Sequence, residues 1–362
     1  MMRSIKDTGD AGTGLRMVAA LGTAIVLAAI AALALSRQPL VALRAFFLVP
    51  FLSTSSFLSM LELSGPLALC ALGVVVTFRA GHYSLGGEGQ TYAGAFAAAL
   101  VGTMPGIPAG PAITLAAMLA GLAAGGIVAA LPAAGKRFAN ADVLLTSILV
   151  SQGVVFAVDW AIADPLRDPV GNLVAMRSIP AASLLPRLVP PSTLTLVPFI
   201  TLALCLAAAF YFEHTRTGAA HDLYGRNPRF AELQGFDVRR LSWLPIVMAG
   251  ALHGLAGAAM ALGARGTALR GMSGGIGWSA IGVALVAGSR PSAVPLAALL
   301  FSWLDSGSRQ AVVLSDLPPD AGLAIKAVVI IVISARPTIA GLRAACRWAL
   351  ARLRGGREKA GL

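Results

Sequence analysis

The feature that most restricts this chain is a recurrence. Stretches of about 18 to 20 apolar residues return along nearly its whole length, each able to cross the hydrocarbon of a bilayer as a helix. In lipid a backbone must satisfy its own N–H and C=O groups, so such stretches are restricted to α-helix. The shorter, strictly alternating segments of a membrane β-barrel are absent. Charged residues make up 12% of the sequence, about half the usual share of a soluble domain, and the mean hydropathy is +0.79. The expected class is an all-α integral membrane protein.

About ten transmembrane helices are expected, over roughly 17–35, 62–78, 86–103, 112–132, 141–161, 194–212, 243–263, 276–289, 293–309 and 321–335. The apolar segment 40–60 is broken by Pro50 and a serine cluster, and reads as a helix at the outer interface rather than an eleventh span. Arg3, Lys6 and Arg16 precede the first run, whose length exceeds a signal-peptide core, so it is expected to stay as an uncleaved helix. With a cytoplasmic N-terminus, nineteen of the 28 Lys and Arg fall on the inner side, eight on the outer side, and Lys326 within a span. That asymmetry favours both termini inside. The net charge of +12 therefore reads as an orienting device, not as a nucleic-acid surface.

The organisation that follows is a cytoplasmic N-terminal segment 1–16, a membrane domain 17–335 with a cytoplasmic loop 213–242, and a basic cytoplasmic tail 336–362 suited to the anionic inner leaflet. The outer loop 162–193 is Pro-rich. Cys70 and Cys205 lie within apolar runs and Cys346 near the C-terminus, so no disulfide or metal framework is indicated.

Repetition within the chain is more informative. Gly86-Gly87-Glu88-Gly89 is followed by Gly94, and Gly274-Gly275-Ile276-Gly277 by Gly282 at the same spacing. Both clusters open short apolar segments that run in opposite directions in this topology. Gly-interrupted segments in corresponding positions point to two inverted-topology repeats with a substrate path at their interface. Glu88 would open a helix, where the dipole favours a carboxylate, and Gln90 lies beside it. Glu88 either lines a pathway or ties the Gly-rich break by hydrogen bonds. His253 sits mid-helix as a core histidine or a pathway group, and Lys326 could snorkel. Asp142, Asp159 and Asp305, near span ends, read as solvated or capping.

The loop carries clear punctuation. Asn227 is placed to cap a helix that starts at Pro228, and Gly235 to close it. About two turns between them bear Phe230 and Leu233, an apolar pair suited to a groove on a soluble partner. No P-loop accompanies it: Gly135-Lys136 has Ala130 at the required position and Arg137 after it. The chain is not expected to hydrolyse ATP, and no catalytic residues are assigned.

The segment Phe78-Arg-Ala-Gly-His-Tyr-Ser-Leu-Gly-Gly-Glu-Gly-Gln-Thr-Tyr-Ala-Gly94 resembles the signature of permeases in ATP-binding-cassette importers for nucleosides and simple sugars, within the branched-chain amino acid permease superfamily. Gly225, Asn227, Pro228 and Gly235 resemble that family's coupling helix, and Gly274 to Leu300 its second-half motif. The resemblance covers roughly residues 60 to 335. It implies a pathway lined from Gly86, Gly87, Glu88, Gly89, Gln90, His253 and Trp278. It also implies ATPase coupling through Gly225, Arg226, Asn227, Pro228, Phe230, Leu233 and Gly235. The implied partners are a second permease subunit, identical or not, two cytoplasmic ATPase subunits that bind the ATP, an extracytoplasmic solute-binding protein, and membrane lipid. The implied location is the bacterial inner membrane. A nucleoside leads as substrate, with a simple sugar or a riboflavin-like compound behind. Tyr83-Ser84-Leu85 departs from the family's usual Phe-Asn-Ile, and Asp222 and Tyr224 stand where Arg or small residues are expected, which bears on ATPase pairing.

Two other readings compete. An ion-coupled transporter would use Glu88, His253 and Lys326 as a relay, but leaves the loop unexplained. An intramembrane protease is suggested by Gly271-Met-Ser-Gly274, but all four histidines precede Ser273 where a later one is required. No H-E-x-x-H metal motif is present.

Overall fold

The computed structural model describes residues 36–318 except Ile107, together with isolated positions within 18–34 and 320–327. The first expected span lies largely outside the described residues. So do nearly all of the last span, Lys326, the N-terminal segment and the basic tail.

The apolar runs become helices close to where hydropathy puts them. They are α1 (Pro39–Phe47), α2 (Thr54–Arg79), α3 (Gly87–Gly102), α4 (Pro111–Ala139), α5 (Val143–Ala163) and α6 (Val197–His214). After the loop come α9 (Leu244–Met260), α10 (Ile276–Val286) and α11 (Val294–Leu314), and the loop itself supplies α7 (Arg216–Arg226) and α8 (Pro228–Leu233). Five helical stretches are long and apolar enough to cross a membrane, or six if α10 and the segment Pro291–Leu314, bent by 113° between them, count as one. The protein is thus a multi-pass, all-helical membrane protein.

Helix α2 begins eight residues before the expected 62. The serine cluster opens the helix instead of breaking it: Ser53 is extended and the helix runs from Thr54 through Ser55, Ser56 and Pro66. The 40–60 segment is accordingly α1, a short turn Val49–Leu52, and the start of α2.

α2 and α9 form the centre. In their most apolar windows 83% of α2 and 67% of the stretch Val238–Gly263 that contains α9 is buried within the protein, against 33%, 22% and 28% for α4, α5 and α6. The outer helices turn large apolar side chains outward, among them Ile127, Leu149, Phe156 and Phe210, which is what lipid-facing helices do. Among apolar neighbours, helices associate through close backbone packing by small residues. Gly121 and Gly125 of α4 meet Gly250 and Gly254 of α9, each pair at GxxxG spacing. A Cβ on Gly125 would lie 2.2 Å from the Gly250 carbonyl oxygen, and one on Gly254 would lie 2.1 Å from that of Gly121. α9 then widens into a π-helical turn at Ala261–Arg265 before Gly266 turns the chain. The loop between α5 and α6 folds along this turn, with amides of Met176, Ile179 and Leu185 donating to carbonyls of Ala268, Gly266 and Leu262.

Candidate functional site: a half-helix junction and a capped loop

Among the helices that are too short to span about 30 Å of hydrocarbon are α3, with 16 residues, and α10, with 11. Each is opened by one of the glycine clusters, and their N-termini meet. A Cβ on Gly277 would lie 2.3 Å from the Glu88 nitrogen and 2.6 Å from the Gly87 carbonyl carbon, so only glycine permits the approach. Two positive helix ends in contact call for an anion and for acceptors on their free amides. Glu88 supplies both. Its Oε1 accepts from the Gly275 N–H and its Oε2 from the Gly277 N–H, each at 2.9 Å. On the α3 side, the Leu85 and Gly89 amides donate to the Ser147 and Ser151 hydroxyls of α5, at 2.9 and 2.8 Å. Gly275 has φ +79°, which glycine adopts without strain. Glu88 thus takes the tying geometry of its two expected roles.

His253 packs into the same junction. Its ring lies against Gly73 and Gly87, where added Cβ atoms would come 2.9 Å from Cε1 and 2.8 Å from Nε2. Its Nδ1 lies 2.6 Å from the Ala249 carbonyl oxygen and donates to it; Nε2 is buried without a hydrogen-bond partner among the described residues. Gln90 is buried and folds toward Gly86, where a Cβ would meet its Nε2 at 2.6 Å. Gly86, Gly87, Glu88, Gly89, Gln90 and His253 therefore come together. Trp278 is 39% exposed and stands outside this cluster. Asp142 caps α5 by accepting from the Leu144 amide at 2.7 Å. Asp159 instead accepts the Tyr92 hydroxyl proton at 2.6 Å, and the Tyr92 oxygen accepts from the Gly271 amide at 2.9 Å.

The loop between α6 and α9 follows its punctuation. Thr215 caps α7 through the Gly218 amide at 3.0 Å, and Asn227 caps α8 through the Phe230 amide at 3.1 Å, with Pro228 at the first helical position. Gly235 has φ +80°. A further short turn, Val238–Leu241, closes the loop, so the region carries more helix than the single two-turn piece expected. Phe230 and Leu233 are 45% and 82% exposed.

The residues that depart from the family pattern hold this loop to the membrane domain. Asp222 makes a bidentate ion pair with Arg79 at the end of α2, and the Arg79 guanidinium lies over the Phe212 ring at 4.3 Å. Tyr224 packs its ring on His82 at 5.6 Å. Gly225 lies against the same turn, where a Cβ would fall 2.2 Å from the Arg79 carbonyl oxygen. Burial holds both His82 and His221 below the ordinary histidine value of 6.5.

Sequence reasoning missed Glu62. Its buried carboxylate accepts from the Thr195 amide at 2.7 Å and from the Thr195 hydroxyl at 2.9 Å. The rule that singled out Glu88, an ionisable group within an apolar span, applies equally to Glu62. Beside it lies a cavity of about 120 Å³ between α2, the end of α9, α10 and α11, lined by apolar groups together with Arg265, Asp305 and Arg309.

A helical membrane bundle with two half-helices meeting at a glycine-lined break, and a capped amphipathic helix on one loop, is the architecture of a transport permease. The family described as branched-chain amino acid transport system / permease component matches residues 56–334, and the chain belongs to it. Relatives carry the same class of function. The protein named "Probable riboflavin import permease protein RfuC" from Treponema pallidum (strain Nichols) is 30% identical over 327 residues, covering 87% of this chain and 83% of the relative. The nucleoside ABC transporter permease protein NupB of Lactococcus lactis subsp. cremoris (strain MG1363) is 26% identical, covering 86% of this chain and 88% of its own. The guanosine ABC transporter permease protein NupP of Bacillus subtilis (strain 168) is 29% identical over 74% of this chain and 78% of its own. No solved structure matches the chain significantly. The chain is a transmembrane permease subunit of an ATP-binding-cassette transporter.

Proposed function

We propose that this permease imports a nucleoside across the inner membrane of a bacterium, driven by ATP bound and hydrolysed on separate subunits. It crosses the membrane ten times with both termini cytoplasmic, as two inverted halves whose half-helices α3 and α10 meet at Glu88. A second permease subunit completes the pathway, an extracytoplasmic binding protein delivers the solute, and two cytoplasmic ATPases dock on the loop. Gly86, Gly87, Gly89, Gln90, His253 and Trp278 belong to the pathway half of this division, with Glu88 as the residue that fixes its walls. Gly225, Arg226, Asn227, Pro228, Phe230, Leu233 and Gly235 belong to the coupling half.

The observation that carries the coupling assignment is the exposed pair Phe230 and Leu233. It sits on a side-chain-capped helix whose neighbour is pinned to α2 by the Arg79–Asp222 pair. An apolar pair held out from a firm base suits a partner's groove, and motion of that helix would reach α2 directly. Riboflavin is the second reading, supported by the relative at 30% identity. Both solutes are flat heterocycles bearing a five-carbon hydroxylated substituent, a ribose ring in a nucleoside and an open ribityl chain in riboflavin. The test is uptake of labelled guanosine and labelled riboflavin by cells with and without the chain, after ATP depletion and after an ionophore. The expected result is chain-dependent uptake of one of them that fails on ATP depletion and survives the ionophore. Uptake that the ionophore abolishes would replace this reading with ion coupling.

A further inference from the structure

A groove beside the first turns of α4 belongs to neither the junction nor the capped loop. It holds about 700 Å³, within the range of about 300–1,000 Å³ usual for small-molecule sites. One wall is α4, with Pro111, Leu115 and Met118; the other is the loop between α5 and α6, with Leu184, Leu185 and Arg187. Two hydrogen bonds fasten that loop to the helix. Ser183 Oγ accepts from the Gly110 amide at 3.0 Å, and the Ser183 carbonyl oxygen accepts from the Thr114 hydroxyl at 2.8 Å.

The lining is mostly apolar. Arg187 is its one charged residue; it is exposed, and its guanidinium has no hydrogen-bond or ion-pair partner among the described residues. Thr114, also in the lining, already gives its hydroxyl proton to Ser183. What remains is an apolar trough with one available cation.

The position along α4 decides what can enter. The helix has 29 residues and carries Lys136 and Arg137 in its last turn, so it is about 43 Å long, against about 30 Å of hydrocarbon. With the basic pair at one headgroup layer, about 20 residues cross the hydrocarbon, and Pro111 to Met118 straddle the opposite boundary. Leu115 and, one turn further in, Leu119 are 61% and 55% exposed, so the groove opens onto a helix face that lipid covers. A soluble protein reaches only the headgroup end of such a trough, whereas an acyl chain lies along all of it. A sugar or a nucleoside would find too few polar partners, and a cationic amphiphile would be repelled by Arg187. The amphiphile that a bilayer supplies in bulk is a phospholipid, and a guanidinium matches its phosphate in charge and in geometry.

We propose that this groove binds an anionic phospholipid, with an acyl chain along Leu115, Met118 and Leu184 and the phosphate on Arg187. In the topology proposed above the site lies in the outer leaflet, and it is independent of which solute is carried. Leu185, on the groove wall, also donates its amide to Leu262, so the occupant bears on the π-helical turn that ends α9.

The test is lipid retention by the full chain. The protein is extracted in mild detergent, mixed with equal amounts of phosphatidylglycerol and phosphatidylcholine of the same acyl chains, washed, and read by native mass spectrometry. The variants are Arg187→Gln, Ala182→Phe, which enlarges an exposed lining residue into the trough, and Arg177→Gln, an exposed arginine of the same loop outside the groove. The wild-type chain should keep one phosphatidylglycerol, preferred about fivefold, which is what one arginine near an anionic headgroup contributes. Arg187→Gln should keep either lipid without preference, Ala182→Phe should keep neither, and Arg177→Gln should behave as wild type. All three positions are exposed, and if one groove variant is not recovered the other reads the site alone. An unchanged preference in Arg187→Gln, or unchanged retention in Ala182→Phe, overturns the assignment. So does an equal loss of preference in Arg177→Gln. A wild-type chain that keeps no phosphatidylglycerol over phosphatidylcholine also overturns it, and leaves the headgroup end of the groove to a protein.

Discussion

The glycine junction within the bundle and the loop between α6 and α9 are both built from helix N-termini, but they satisfy those termini in opposite ways. At the junction, the amides of α10 go to Glu88 and those flanking the start of α3 to serines of α5. These partners lie far away in the chain, and the backbones touch through glycine. In the loop, the caps are local: Thr215 for α7, Asn227 for α8 and Asp237 for the closing turn. Leu233 is then left facing out. In lipid an unpaired amide costs several kcal/mol, so the junction must be closed from within. In water that constraint is relaxed, and the loop can keep an apolar face for another protein. In the function proposed above, the first region shapes the pathway and the second receives the force.

The contrast breaks most visibly at Gly277. A valine there places carbon where the Glu88 backbone already lies, so Gly277→Val should cost more than about 3 kcal/mol and abolish recovery of folded protein in mild detergent. Recovery at wild-type yield would mean that α3 and α10 do not touch. Glu88→Ala is the next largest. It leaves two amides without acceptors and should cost about 1–3 kcal/mol, read as a lowered thermal midpoint in detergent. Glu88→Gln should recover part of the loss, since its amide oxygen still accepts one bond. Equal behaviour of the two variants would count against the capping role.

A smaller effect separates the loop by pH. His82 and His221 are held neutral by burial, below the ordinary 6.5. Their contribution to stability is therefore fully present above about pH 6.5 and drains as pH falls and the unfolded chain binds protons first. The thermal midpoint should fall as pH is lowered from about 7.5 to 5.5, and the drop should shrink in His82→Phe. An undiminished drop in that variant would place the titration elsewhere.

Much of the fold is legible in the amino-acid sequence alone. Apolar runs dictate the helices because burial in lipid leaves one backbone solution, and the equal Gly86–Gly94 and Gly274–Gly282 spacings mark both half-helices. Asn227, Pro228 and Gly235 mark α8 because capping is local and so is written within a few residues. Tertiary partners are not legible. Glu88 and Gly277 are 189 positions apart, Arg79 and Asp222 143, and Glu62 and Thr195 133, and no spacing rule reaches that far. Asp222 and Tyr224 look like departures in a partner-facing surface, yet they face inward to Arg79 and His82. Sequence reasoning starts α2 too late because serines break helices in water more readily than in a bundle.

The central claim is that the loop transmits work without carrying the fold. The most direct test is the double variant Phe230→Ser, Leu233→Ser, purified with its ATPase from cells and assayed for ATP-driven uptake alongside its thermal midpoint. Both side chains are exposed, so stability should stay within about 0.5 kcal/mol of wild type while ATPase co-purification and uptake are lost. Wild-type co-purification and uptake in the double variant would contradict the account.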